Sequence, residues 1–546
     1  MVGVLLVLAV LAAACGGKES TGKEESVRAV KGESGLADAG NPVRGGRLVY
    51  GLEAETTGGW CLPESQLAIS GAMVRWAVYD PLFITNSAGK VVPYLAKSMT
   101  PNEDFTTWTI GLRDGVTFHD DTKLDATVVK NNIDAFRGTF PPRKPALWKF
   151  VLQSVKSVEV KDERTVEVNL KSPWVAFPQT LNGVGIMGQA QLEDTESCER
   201  NLIGTGPFEL SSWRPGVELV AQRNPHYWQI APDGEPYPYV DAIAFRPIPE
   251  AQQRLNAIDS GEINVMMTST PADVSGTLLD MRNQGRINLL VSEDHAEVNY
   301  VLFNSRKPPF DDERMRRAVA MGLDRDEIND VVNHSFPTVA DQPFPPGDMG
   351  YVDDPGFPQF DPAAARELVD QYVREGKDPS FDLSVTTEPT VLARAEVIQN
   401  QLKDIGVAIK IRSVEQATLI SDAIGGGFEA MTFRGFPGPE PDTKYNYWYQ
   451  GSPVNFGGIV DPVINKALDD GRRESDPARR AQIYEGISKQ FAAKVWNVWL
   501  NYTPWAVAES RDVHGIHPVE LPDDGGKPFT GLSAGHPVHA MWIATD

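Results

Sequence analysis

The sequence predicts a mixed α/β chain, with an α+β region in its first half and a parallel α/β sheet of doubly wound type in its second. Three observations predict this. At roughly 100 to 200 residues per domain, 546 residues make about three or four domain-sized units. Segments 107–113, 155–160 and 165–170 have the apolar/polar alternation of half-buried strands, and the last two read as a hairpin across Lys161-Asp162-Glu163-Arg164. Segment 381–386, a helix over 391–405 and segment 407–411 form a βαβ unit, whose right-handed crossover favours parallel strands.

Taken in order, the chain starts with an uninterrupted apolar run at 2–14. As a helix it would reach about 20 Å, short of a hydrocarbon core of about 30 Å. A run of this kind ending in small residues is the pattern of a secretory signal. It leads into Cys15-Gly16-Gly17, which resembles a bacterial lipobox and implies Cys15 as an acylated membrane anchor. Residues 16–45 are rich in Gly, Ser, Glu and Lys and nearly free of large apolar side chains, as a flexible linker requires. Export would put Cys61 and Cys198 in an oxidising space, where they either form a disulfide or stay as two buried thiols. In segment 107–113, Trp108, Ile110 and Leu112 share one face. Ile398, Leu402 and Ile405 mark the buried stripe of the βαβ helix, and Gly406 suits its stop. Asp361-Pro362, Asp461-Pro462 and Asp476-Pro477 each offer a capping carboxylate followed by proline at the first helical position.

Composition excludes several functions. With 51 Lys and Arg against 74 Asp and Glu, the net charge of −23 repels phosphate backbones, so no nucleic-acid partner is expected. Gly531-Leu532-Ser533-Ala534-Gly535, with His536 and His539 behind it, matches a nucleophile elbow in letters only. Lys527-Pro528-Phe529-Thr530 before it is no core strand, and Pro537 follows where a helix should open. Gly183-Val184-Gly185-Ile186-Met187-Gly188 lacks the core strand of a dinucleotide turn. The eight histidines are scattered, so no metal site and no cofactor are expected. An exported chain of this size without catalytic residues points to binding.

Tyr79-Asp80-Pro81-Leu82-Phe83, Pro93-Tyr94-Leu95-Ala96-Lys97-Ser98, Gly204-Thr205-Gly206-Pro207-Phe208, Arg223-Asn224-Pro225-His226-Tyr227-Trp228, Ser260-Gly261-Glu262-Ile263-Asn264-Val265 and Phe310-Asp311-Asp312-Glu313-Arg314-Met315-Arg316-Arg317-Ala318-Val319 follow one another in that order. Together they resemble extracellular solute-binding protein family 5, the receptors of oligopeptide, dipeptide and nickel ABC importers. The resemblance implies a two-lobe periplasmic-binding-protein-like fold (type II, Venus-flytrap) with an inserted α+β subdomain. It implies lobe I at 46–75, 190–290 and 500–546, the insertion at 76–189 and lobe II at 291–499. A Cys61–Cys198 bridge would then tie two discontinuous pieces of lobe I.

The implied function is capture of a peptide or peptide-like solute between the lobes of a monomer. The implied partners are the ABC permease and ATPase subunits, with the receptor lipid-anchored on the outer face of the cytoplasmic membrane. In peptide-binding members an acidic residue after a Gly-Trp pair holds the peptide amine. Here Gly435-Phe436 is followed by Pro437-Gly438-Pro439, and Glu440 or Asp442 could serve only if the loop folds back. The resemblance implies Trp60, Arg434, Gly435, Phe436, Glu440, Trp448 and Asn455 as ligand residues, with Arg434 meeting an anionic group. The alternatives are a nickel- or haem-type receptor of the same fold, a module that signals to a membrane kinase, and a secreted serine hydrolase.

Overall fold

A computed structural model describes residues 40–544, apart from 56–58, 66, 68, 146, 436, 437, 517–519 and 534, with the backbone alone at 69 and 417. Cys15, the apolar run, the linker as far as residue 39, and Phe436 lie outside the described residues.

Strand β1 (Arg47–Leu52) opens the first large sheet. The chain then leaves it for an antiparallel sheet of β2 (Ala96–Pro101), β3 (Thr107–Leu112), β4 (Val155–Asp162) and β5 (Thr165–Leu170), ordered β2-β3-β5-β4. Helix α1 (Ala126–Phe136) packs on β4 and β5. Trp108, Ile110 and Leu112 of β3 are buried in the same core as Ile133 of α1, as the period-two pattern requires. The hairpin 155–170 is present, and its charged turn is exposed.

The chain re-enters the first sheet through Gly204 and Gly206. A Cβ there would lie 1.9 Å from Val78 O and 2.5 Å from Val78 C respectively, so only glycine lets this backbone pass Val78, the last residue of the helix Ile69–Val78. Strands β6 (Phe208–Arg214), β7 (Glu218–Arg223) and β8 (Ala242–Pro247) follow, then α2 (Ala251–Asp259), β9 (Val265–Thr268) and β10 (Ile287–Ser292). Cys61 and Cys198 are bonded, with Cα atoms 5.2 Å apart, so the loop after β1 is tied to the approach to Gly204.

The second sheet holds β11 (Val298–Phe303), β12 (Phe381–Thr386), β13 (Ile409–Val414), β14 (Ala430–Arg434) and β15 (Asn497–Tyr502), ordered β13-β12-β14-β11-β15. Its helices include α3 (Pro362–Arg374), α4 (Pro389–Asp404), α5 (Pro462–Arg473) and α6 (Pro477–Lys494). Asp361, Asp461 and Asp476 accept hydrogen bonds from first-turn amides of α3, α5 and α6, while proline occupies a position that needs no donor. The βαβ unit is present, and β12 pairs with β13 in parallel. β13 starts at Ile409 because Gly406, at φ 87°, and Val407 both close the end of α4 on Lys403 O and Leu402 O. The sheet is mixed, since β11 runs antiparallel to both β14 and β15.

The chain returns at Thr503 and Pro504 to β16 (Trp505–Ser510), which completes a seven-stranded first sheet ordered β10-β16-β9-β1-β8-β7-β6. The sheets are therefore joined twice, between β10 and β11 and between β15 and β16. Thr503 N donates to Glu297 O at 2.8 Å and Asn299 Nδ2 to Thr503 Oγ1 at 2.8 Å, which binds the two crossings together.

Candidate functional site: a charged cleft between the sheets

Ligands of parallel α/β sheets gather at the carboxyl ends of the strands, where successive loops diverge. In the first sheet β1 runs parallel to β8 and β9, and in the second β12 runs parallel to β13 and β14. Glu53 directly follows β1, Ser269 follows β9, Glu388 stands between β12 and α4, and Arg434 ends β14. These four face one another. Arg434 Nη1 donates to Ser269 Oγ at 2.9 Å, from one sheet to the other. Ser269 N donates to Glu53 Oε1 at 2.7 Å, and Arg254 Nη2 of α2 lies 3.6 Å from the same oxygen. Glu297, on the crossing into β11, accepts from Trp505 Nε1 at 3.2 Å and lies 3.8 Å from Arg434.

Arg434 keeps 38 % of its side-chain surface open. Burial pulls its guanidinium down, but Glu297, Glu53 and Glu388 together outweigh that and hold it above its ordinary range. Burial pushes the carboxyl groups of Glu297 and Glu388 up, with Arg434 opposing in both. Lys444 is lowered to about 8 by burial, against the pull of Asp348 and Glu297. Asp273 is raised to about 6 by burial, with Arg254 opposing. The cleft thus holds charges of both signs, with Arg254 3.6 Å from Glu53 and Arg434 3.8 Å from Glu297.

Of the ligand residues expected from the sequence, Arg434 and Gly435 stand at this cleft, and Gly435 N continues the pairing of β14 by donating to Val298 O at 3.0 Å. Trp60 is 2 % exposed and packs edge-on to Trp213 in the first body, with centroids 6.2 Å apart. Trp448 is buried between Phe344 and Phe491. Asn455 closes its own turn, donating to Ile459 O at 2.8 Å and accepting from Ile459 N at 2.9 Å. Glu440 is held by Arg480, whose Nη1 and Nη2 donate at 2.8 and 2.5 Å, and it accepts from Asp442 N. Asp442 accepts from Arg472 Nε at 2.7 Å and from Trp174 Nε1 of the inserted region at 2.8 Å. Glu53, Ser269, Glu297, Glu388 and Lys444 were not expected from motifs. Reading one residue past each parallel strand would have found Ser269 and Glu53.

Ser533 is 2 % exposed, and the nearby His536 ring is bonded to Tyr50 OH at 3.1 Å, so neither is presented to a substrate. Among the described residues, no group of three or more His, Cys, Asp or Glu is placed to hold a metal ion, and no helix is long and apolar enough to cross a membrane. A depression of about 560 Å³ is lined by Asp311, Asp312 and Tyr372, and there Lys377 is already paired with Asp312 and Glu375.

Comparisons with known proteins agree with this architecture. The chain is 27% identical over 430 residues to di/tripeptide-binding protein 1 of Pseudomonas aeruginosa, covering 72% of this chain and 78% of that protein. It is 25% identical over 561 residues to the oligopeptide-binding protein AppA of Bacillus subtilis, covering 95% and 96%. The solved structure of AgaA with agropinic acid, from A. tumefacien R10, superposes with a TM-score of 0.80 at 23% identity, covering 92% of this chain and 99% of that one. The model of the family described as bacterial extracellular solute-binding proteins, family 5, middle, matches residues 90–456. That span is more than half of the 546 residues, and the chain therefore belongs to the family 5 extracellular solute-binding proteins, which are binding proteins and not enzymes.

Proposed function

We propose that the protein is the lipid-anchored solute receptor of an ABC importer, and that it captures peptides or peptide-like small solutes in the cleft between its sheets and delivers them to the membrane permease. The observation that carries this reading is the contact of Arg434 with Ser269 across the cleft, beside Glu297 on the crossing. The two bodies close on a solute by turning about the paired crossings at Glu297 and Thr503, and closure desolvates the charges of both walls at once. Names of relatives support the solute class, since they are di/tripeptide- and oligopeptide-binding proteins.

The test is to purify the protein from its host, identify co-bound small molecules by mass spectrometry and titrate them back calorimetrically. Loss of the Arg434 contact in Arg434→Ala should weaken binding roughly 30- to 150-fold, the effect of about 2 to 3 kcal/mol. Undiminished affinity in that variant would remove the cleft from the reading. Anchoring is tested separately: Cys15→Ser should move the protein from membranes to the soluble fraction, and retention at equal abundance would overturn the anchor.

A further inference from the structure

The inserted region touches the second body at a place where no crossing of the chain joins them. Trp174 and Val175, just after β5, belong to the inserted region, and Asp442, Tyr445 and Arg472 belong to the second body. Asp442 divides its two oxygens between the bodies. Arg472 Nε donates to Oδ1 at 2.7 Å from within the second body, and Trp174 Nε1 donates to Oδ2 at 2.8 Å from the inserted region. The Arg472 guanidinium lies between two rings, its Cζ 3.4 Å from the centroid of Tyr445 and 4.2 Å from that of Trp174. The main chains meet as well, since Val175 N donates to Arg472 O at 2.8 Å. That carbonyl is in the last turn of α5, where a helix leaves its oxygens without partners of its own. Phe150, from the short helix Trp148–Val151 of the inserted region, also packs on the core of the second body.

Trp174, Asp442 and Arg472 are 1, 3 and 8 % exposed, so an ion pair, a cation between rings and an indole donor are desolvated together. A cation over a ring is worth most where water is excluded, and a hydrogen bond to a charged group is stronger than a neutral one. Separation of the bodies would break all of this at once. Asp442 loses a donor, Arg472 one of its rings and Val175 its acceptor, and the indole of Trp174 meets water. Every partner is a protein group. The closed arrangement therefore has a source of stability that needs no solute.

We propose that Trp174, Asp442 and Arg472 form a latch that holds the inserted region on the second body in the absence of a solute; the proposal rests on the receptor reading above for the motion that the latch resists. A solute enters and leaves only while the latch is open, so its strength sets how fast the receptor loads and unloads. The loop that leaves the cleft at Arg434 reaches the latch at Asp442, and between them Glu440 is fixed to α6 by Arg480.

Val175 N gives a direct readout, because its acceptor lies in the other body. The adjacent Trp174 N donates to Phe105 O at 3.0 Å and Leu170 N to Thr106 O at 2.8 Å, both inside the inserted region. The experiment uses the purified full chain, freed of co-bound solute by reversible unfolding with the Cys61–Cys198 bridge intact. Amide exchange is read for wild type, Trp174→Phe, Arg472→Gln and the double variant, with small-angle scattering alongside. In wild type, Val175 should exchange roughly 100-fold or more slowly than a free amide. Each single variant removes a charge-assisted contact and should speed Val175 roughly 10-fold or more, with the amides at 170 and 174 unchanged. The double variant should have a larger radius of gyration than wild type. Trp174→Phe keeps a ring in place and leaves the second body's own partners intact, so its exchange decides if Arg472→Gln fails to fold. A free-amide rate at Val175 in wild type would overturn the latch, and so would an unmoved Val175 in the variants or an unchanged radius in the double variant. Acceleration of all three amides together would report unfolding of the inserted region and overturn it too. Failure of the receptor reading shows elsewhere, in the absence of any co-bound solute, and leaves the Val175 rates to decide on the latch.

Discussion

Two buried polar clusters in this molecule have opposite bonding. At the junction of the inserted region with the first sheet, Asp80 is 1 % exposed and accepts from Trp228 Nε1 at 2.9 Å, Thr205 Oγ1 at 3.1 Å and Tyr227 OH at 3.3 Å. Gln229 ties Tyr227 to Tyr94 behind it. In the cleft, Arg434 stays 3.8 Å from Glu297, and the Glu388 side chain caps no amide of α4. A fully bonded buried network fixes geometry, whereas a sparsely bonded one keeps its donors and acceptors for a solute. The comparison predicts that changes at the junction register as stability and changes in the cleft as binding.

The largest stability effect should come from the bridge that holds the junction side. Cys61 and Cys198 are 137 residues apart in sequence, and closing a loop of that size is worth about 5 kcal/mol in the chain-entropy model. Either serine variant should lower Tm steeply by calorimetry. An unchanged Tm would mean that the junction keeps its geometry without the bridge.

Next in size is Asp80 itself. Asp80→Ala orphans three buried donors and should cost about 3 kcal/mol or more. Burial raises the folded pKa from 3.8 to about 7, against the hydrogen bonds and Arg75. The folded state thus holds this proton more tightly than the unfolded chain. Its contribution is complete below about pH 4 and is lost as pH rises through 7. Tm measured across that window should fall less with rising pH in Asp80→Asn than in wild type. Parallel profiles would show that Asp80 does not titrate there.

The same contrast explains what the sequence made legible. Strands β3, β4 and β5 and the βαβ unit were readable because their patterns are local: period two, period 3.6, a capping aspartate before proline, a glycine after the helix. The Gly204 to Phe208 motif marked the re-entry because only glycine passes Val78 there. The cleft was not readable in this way. Glu53, Ser269 and Glu388 come from three loops that only the folded sheets bring together with Arg434, the cleft cation that the resemblance did imply. Glu440 and Asp442 looked like pocket acids because they follow Gly435, but their partners Arg480 and Arg472 lie 40 and 30 residues further on, beyond the reach of a motif.

That misleading pair gives the third prediction. Arg480 and Glu440 are only 7 and 17 % exposed as side chains, so Glu440→Gln leaves a guanidinium short of its counter-charge in a nearly closed site. The variant should lose about 2 to 3 kcal/mol of stability, seen as a lower Tm, while solute affinity per folded molecule stays near wild type. A selective loss of affinity at unchanged Tm would instead place Glu440 among the solute contacts and move the pocket towards α5 and α6.

The smallest effect is expected at Glu388, and it separates the two uses of charge most finely. Glu388 is an exposed residue, so the attraction it offers Arg394 and Arg434 is screened and worth no more than about 1 kcal/mol. Glu388→Gln should therefore shift ligand-free Tm little. If Glu388 is the competitor that a solute carboxylate must displace, its removal should tighten an acidic probe by roughly 3- to 10-fold, the equivalent of about 1 kcal/mol. Calorimetric titration of tripeptides with free carboxyl ends against both proteins measures this directly. Weaker binding in Glu388→Gln would show that the carboxylate itself meets the solute, through a hydrogen bond or an ammonium group, and that the cleft recognises both ends of a zwitterion.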